Sequence, residues 1–349
     1  MSTEIENQYL KHENLYKSLG ESVKSVLGVL LSEEKIHSID TRVKGRDSLL
    51  EKIERKENKY SSINEITDIV GIRIICFYSD DVDKIADIIA NEFMIDKDNS
   101  VDKREQSEPE KFGYSSLHYV AQYNDKRSEL AEYEKFKGLR FEIQIRTILQ
   151  HSWAEIEHDS GYKSEREIPR EIRRAFALLS GLLELADKEF RTIRDDLKAY
   201  EIDVTNKLKN KNEDILIDRI SLSKFISISK NLNSLNSAIL AVSGCTLCEG
   251  ILDLDRKIKA LDFIGIKFIN EIDDAITQEF DLCVEIAKQF LAGVKAVDHS
   301  VGILYLAYAK IARKEDIDTI YNYAREIGIT DPEYIGGKLL SAYNAFIEQ

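Results

Sequence analysis

Between residues 4 and 36 the apolar side chains Tyr9, Leu10, Leu15, Tyr16, Leu19, Val23, Val26, Leu27, Leu30 and Leu31 return every three or four positions. That spacing is one face of a helix, so one or two helices are predicted. A second helix is expected after Asp47, a plausible cap, through SLLEKIERK. The period then changes: ITDIVGIRIICFYS is β-branched, aromatic and continuously apolar, as a central, buried strand would be. Asp80 or Asp81 is placed to cap a helix through DVDKIADIIANEF. Beyond the charged stretch DKDNSVDKREQSEPEKFG, SSLHYVAQY and LRFEIQIRT read as strands, and ILQHSWAEIEHDSGY returns to helical spacing. The fold class is therefore α+β, with helices on one mixed sheet.

Heptad-like apolar positions in RRAFALLSGLLELADKEFRTIRDDL predict a long helical arm. The remainder reads as short helices, with loops at 233–236 and near Gly328 and Asp331 and no fixed repeat period. The polar run KLKNKNED marks a split between about 200 and 215. The expected organisation is amino-terminal helices over 1–37, a mixed-sheet core over 38–165, a helical arm over 166–209 and an all-α region over 210–349.

Composition narrows the function classes. The 349 residues carry 43% apolar side chains, enough for real cores, and only three prolines. A formal charge of −14 opposes binding of nucleic acid over the whole surface and leaves room for a local basic site. The charged amino-terminal segment and the lack of a run of about 18 apolar residues predict a cytoplasmic chain with no membrane partner. Of four cysteines only Cys245 and Cys248 are close in sequence, with neither a second pair nor a nearby histidine, so reduced thiols are expected and no zinc site.

Three segments place charge where the apolar pattern does not ask for it. Arg42, Lys44, Arg46 and Lys52 cluster around a helix start, where a polyphosphate gains from the helix dipole. Asp68 and Arg73 are five apart, which puts Asp68 at a strand's entry and Arg73 within the sheet. In FEIQIRT, Glu142, Gln144 and Arg146 alternate with Phe141, Ile143 and Ile145, giving one wet face and one core face. Acids on two neighbouring strands are costly unless a cation lies between them, and a pair of oxygens suits Mg²⁺ carrying substrate phosphates.

The ordered blocks TRVKGRDSLLEKI, ITDIVGIRII, FGYSSLHYV, FEIQIRT and HSWAEIEHDSGYK resemble the synthetase domain of RelA/SpoT proteins, with its nucleotidyltransferase-like fold, over roughly 38–165. The short chain is similar to stand-alone small alarmone synthetases, and no HDxxED hydrolase motif is present, so synthesis without hydrolysis is expected. The resemblance implies transfer of diphosphate from ATP to the ribose 3′-hydroxyl of GDP or GTP. It implies that Asp68 and Glu142 hold Mg²⁺ and that Glu142 deprotonates the hydroxyl. It also implies that Arg42 and Arg73 sandwich the adenine, while Lys44, Arg46 and Lys52 hold the ATP phosphates. Tyr114 would stack on the acceptor base, with His118, Gln144, Arg146 and His151 around it. Trp153 and Glu157 match the family's WAxxEH block, where core packing and an internal helix pair explain them about as well as catalysis does, and neither is counted among the catalytic residues.

The match departs on the acceptor side. Ser115 stands where many synthetases carry an arginine, leaving Lys103, Arg104 and Lys111 as the nearest cations for the acceptor's 5′ phosphates. Two other readings follow: a toxic synthetase that pyrophosphorylates the tRNA 3′ end, and a catalytically silent nucleotide sensor. The carboxyl-terminal helices could make a homo-oligomer or bind a regulatory partner.

Overall fold

The apolar period of the first residues closes into one helix, α1 (Ser2–Leu30), which buries Ile5, Tyr9, Tyr16, Leu19, Val23 and Leu27. The computed structural model describes residues 2–56, 59–102, 104, 116–159, 169–210 and 214–348. They form two compact units, Met1–Asp195 and Asp196–Gln349.

In the first unit, α1 is followed by β1 (Ile36–Val43), α2 (Arg46–Arg55), β2 (Val70–Cys76), α3 (Ser79–Glu92) and β3 (Phe93–Asp102). Then come β4 (Leu117–Tyr123), the single turn α4 (Asp125–Ser128), β5 (Phe141–Thr147), α5 (Ile148–Asp159) and the first part of α6 (Arg170–Asn210), a helix that continues into the second unit. The sheet order is β1-β2-β5-β4-β3, with β2 and β5 parallel and the other pairs antiparallel. Two of these strands differ from the sequence expectation. IHSIDTRV and FMIDKDNSVD are half polar because they are the sheet's edges, where charge blocks further pairing. Helix caps differ as well: Gly45 and Tyr78 precede α2 and α3, while Asp47, Asp80 and Asp81 lie in the first turns, where carboxylates favour the dipole.

Register sorts the sheet into two faces. Val70, Ile72, Ile74, Phe141, Ile143, Ile145, Leu117 and Ala121 form the apolar face, in one core with α1, α2 and α3. Gly20 lets α1 approach closely, since a Cβ there would fall 2.5 Å from Thr41 Oγ1. The opposite face carries Arg42, Gly71, Arg73, Glu142, Gln144, Arg146 and His118. Contacts within this unit hold the start of α6: Thr147 Oγ1 donates to Asp187 at 2.7 Å, Arg194 donates to both oxygens of Asp80 at 2.9 Å, and Phe176 packs edge-on against Trp153.

The second unit is helical: α7 (Arg219–Ile228), α8 (Lys230–Ser243), α9 (Leu254–Phe263), α10 (Ile269–Phe290), α11 (Val301–Ala312), α12 (Ile317–Glu326) and α13 (Pro332–Ile347). A two-stranded parallel ladder joins β6 (Thr246–Leu247) to β7 (Ala296–Val297). The loop expected at 233–236 is the middle of α8: Ser229 caps the helix, and buried Asn236 accepts from Gly302 N and donates to the His299 carbonyl. The turn at Gly328 (φ +74°) and the Asp331 cap of α13 lie where the sequence put them. Among the described residues no helix is long and apolar enough to cross a membrane.

Candidate active site

The polar face of the sheet and the helices beside it enclose a cavity of about 690 Å³. Strands β1, β2, β4 and β5 supply Arg42, Arg73, His118, Gln144 and Arg146 to its lining, because alternate residues of each strand share this face. Helix α2 supplies Ser48, Glu51, Lys52 and Arg55, one face at steps of three and four, and Lys44 stands just ahead of it. Helix α5 adds Trp153, Ala154, Glu155, Glu157 and His158.

Both predicted metal carboxylates are bonded to residues of this lining. Asp68, in the turn before β2, lies between two ammonium groups: Lys44 Nζ is 3.1 Å from Oδ2 and Lys52 Nζ 2.7 Å from Oδ1. Glu142 belongs to a chain of side chains across β4 and β5. His118 Nδ1 meets Glu142 Oε1 at 2.8 Å, Ser116 Oγ meets His118 Nε2 at 2.8 Å, and Gln144 Nε2 donates to Glu142 Oε2 at 3.0 Å. Arg146 in turn donates to Gln144 Oε1. Burial and the neighbouring Arg73 charge lower the Arg146 pKa to about 10, well above neutrality, so this buried guanidinium stays charged.

The donor set fits a hard divalent cation. Asp68 Oδ1 is buried and accepts no hydrogen bond although it touches an ammonium, so it keeps capacity for a further positive partner. No group of three or more His, Cys, Asp or Glu side chains gathers among the described residues. Two carboxylates without a full protein cage are what Mg²⁺ uses when substrate phosphates and water complete its shell.

Other predicted residues are placed elsewhere. Arg46 Nε donates to Glu6 Oε1 on α1 at 2.6 Å and does not line the cavity. Arg104 is held by Asp102 at 3.0 Å and Asp83 at 2.7 Å, also outside the lining. His151 Nδ1 is 3.7 Å from Glu155 Oε1 and outside the lining, and burial followed by the Arg73 charge lowers its pKa, which keeps the ring neutral at pH 7. Lys103, Lys111 and Tyr114 lie outside the described residues.

Sequence reasoning missed Ser48, Glu51, Arg55, Ser116, Ala154, Glu155 and His158, and it left Trp153 and Glu157, which also line the cavity, open between packing and catalysis. Arg55 was legible: it falls three residues after Lys52 and seven after Ser48, on the same helical face. The resemblance brings α5 to the site through His151, whereas the cavity is lined by other residues of that helix, between Trp153 and His158.

The region found in RelA / SpoT proteins is matched over residues 41–167. The chain is 30% identical over 181 residues to the GTP pyrophosphokinase YjbM of Bacillus subtilis, covering 51% of this chain and 81% of that protein. It is 31% identical over 142 residues to the GTP pyrophosphokinase YwaC of the same organism, covering 39% of this chain and 63% of that protein. The crystal structure of small alarmone synthetase 1 from Bacillus subtilis bound to its product pppGpp aligns with a TM-score of 0.47 and 29% identity, over 55% of this chain and 99% of that one. The ordered blocks along the first unit and a relative matched over four-fifths of its length lead to one assignment: this chain belongs to the RelA/SpoT family of nucleotide pyrophosphokinases.

Proposed function

We propose that the chain is an alarmone synthetase that moves the β,γ-diphosphate of ATP to the 3′-hydroxyl of GDP or GTP. The observation that carries this reading is the register of β1 and β2. Arg42 lies opposite Gly71, and Arg73 is two residues further on the same face, so the two arginines are diagonal neighbours across a position with no side chain. Such neighbours are about 7–8 Å apart, which matches one flat ring in van der Waals contact with a guanidinium on each side at about 3.5–4 Å. An adenine fits that slot.

From the slot, Lys44, Lys52 and Arg55 extend along the cavity wall as cations for a triphosphate. In the transfer, the ribose 3′ oxygen bonds to the β-phosphorus while that phosphorus loses its bond to the oxygen bridging to the α-phosphate, and AMP leaves. Glu142 takes the hydroxyl proton, oriented by His118 and Gln144. Lys44 and Lys52 stabilise charge on the phosphate oxygens. Asp68 and Glu142 would hold Mg²⁺, which would supply further neutralisation of the phosphate charge when the nucleotide is bound. The relatives named GTP pyrophosphokinase support a guanosine acceptor.

The test is incubation of the full chain with γ-³²P-ATP and, separately, GDP, GTP and bulk tRNA. Labelled guanosine product is expected. Labelled tRNA with no guanosine product would overturn the acceptor assignment. ATP binding with no labelled acceptor at all would mark a silent nucleotide-binding module.

A further inference from the structure

Glu155 is a carboxylate in the wall of a cavity whose cations await a polyanion. Its Oε1 lies 2.9 Å from Arg73 Nη1, and the side chain is 56% exposed. By charge alone it opposes the binding of a triphosphate. As a bare surface ion pair it would contribute little to stability. Its placement on Arg73 has a different consequence. Arg73 and Arg146 are diagonal neighbours on β2 and β5, and their like charges repel, which adds to burial in lowering the pKa of Arg146. Arg146 is anchored by Gln144, so Arg73 is the partner free to swing. Glu155 opposes that swing from α5. Asp40 stands opposite Arg73 on β1, but among the described residues only Glu155 is in ion-pair contact with the guanidinium, and His151, one turn earlier on α5 and neutral at pH 7, adds no charge to the pair. Arg42, on the other side of the slot, has no carboxylate partner among the described residues.

We propose that Glu155 is a positioning residue that fixes the Arg73 guanidinium as the rigid wall of the base slot, leaving Arg42 as the wall that adjusts to the ring. The inference rests on the reading that the donor base enters between these two arginines.

Calorimetric titration of the full chain with Mg·ATP and with inorganic tripolyphosphate, a probe with phosphates and no base, tests it without requiring turnover. In Glu155→Gln, ATP affinity should fall about tenfold, part of the loss expected for a disrupted base stack, while tripolyphosphate binds equally or more tightly. Glu155→Asp, with the charge kept and the reach shortened, should lie between parent and Glu155→Gln for ATP. In an Arg73→Ala background, Glu155→Gln should change ATP affinity no further. Parallel weakening of both ligands would mean that Glu155 acts through the fold, and parallel tightening that it acts only through charge; either overturns the proposal. An undiminished Glu155→Gln effect in Arg73→Ala does so too. If the expected binding pattern appears but no acceptor is labelled, the synthetase reading fails and the positioning role stands. If transfer occurs but the pattern does not, the reverse holds.

Discussion

Two carboxylate–ammonium clusters, one in each unit, show what separates a structural ion pair from a reactive one. In the second unit, Lys257 Nζ meets Asp298 Oδ2 at 3.0 Å with both side chains under a tenth exposed. Every polar side-chain atom there has a partner: Asp298 Oδ1 accepts from Ser300 N at 2.6 Å and from the Ser300 hydroxyl, and Lys257 also donates to the Leu252 carbonyl. In the first unit, Asp68 has two ammonium neighbours, is a quarter exposed, and still has an oxygen that accepts no hydrogen bond. A saturated cluster can only hold the fold. An unsaturated one, bonded to residues that line a cavity, can exchange its partners for a ligand's.

The largest expected difference is in transfer rate. Asp68→Asn or Glu142→Gln should lower labelled-product formation about a hundredfold or more while shifting thermal melting only slightly; a rate within threefold of the parent would sink the role of these acids. The mirror-image change is Asp298→Ala, which strands Lys257 and should cost the second unit about 3–5 kcal/mol, read as a lower melting transition, without a matching loss of ATP affinity. A result in which both substitutions act alike on melting would erase the distinction drawn above.

A smaller effect is expected at the slot. Gly71→Val adds a side chain where the ring is to lie, and Arg73→Lys replaces a plane with a point charge; each should weaken ATP binding by about 1–3 kcal/mol. A Cβ at Gly71 would meet nothing closer than the Arg42 carbonyl at 3.7 Å, so Gly71→Val should leave the melting temperature near the parent's. Calorimetry of ATP with both variants checks this.

The smallest effect is in pH, and its sign differs between the units. Burial raises Asp187 to about 7, so between that value and its ordinary 3.8 the folded chain holds a proton that the unfolded chain does not, and the first unit gains stability as pH falls through that window. Asp298 behaves oppositely. Burial raises its pKa, but the Ser300 hydrogen bonds and Lys257 outweigh this and hold it below 3.8, so its contribution is present above that value and lost as pH falls through the folded one. Asp187→Asn should flatten the rise of the first unit's melting temperature on going from pH 7 toward 4; an unchanged slope would remove Asp187 as its source.

Much of this arrangement could be read from the residues. The order of blocks, the alternation of FEIQIRT and the strand entry at Asp68 predicted the mixed sheet and its wet face. Edge strands escaped because their outward residues are polar: IHSIDTRV reads as the approach to a helix until its pairing with β2 is known. Arg46 and Arg55 differ only in helical phase, which a cluster of basic residues conceals and a helical wheel displays. Glu155 carried no signal, because its meaning depends on Arg73, far away in sequence and brought close only by packing of α5 beside β2. Within α8, three asparagines imitated a loop, whereas Asn236 is buried to join two helices by side-chain hydrogen bonds.

Trp153 is the chain's single tryptophan, 2% exposed, set edge-on to Phe176 at 5.3 Å and lining the cavity. The protein therefore carries its one indole at the place where a nucleotide is expected, whereas the second unit has tyrosines and no tryptophan. Emission excited at the red edge of the indole band, where tyrosine scarcely absorbs, follows the first unit, whereas far-ultraviolet dichroism is weighted by the helices of both. Melts recorded by the two signals can be compared without a label, and a nucleotide titration can be followed by quenching or spectral shift in the unmodified chain.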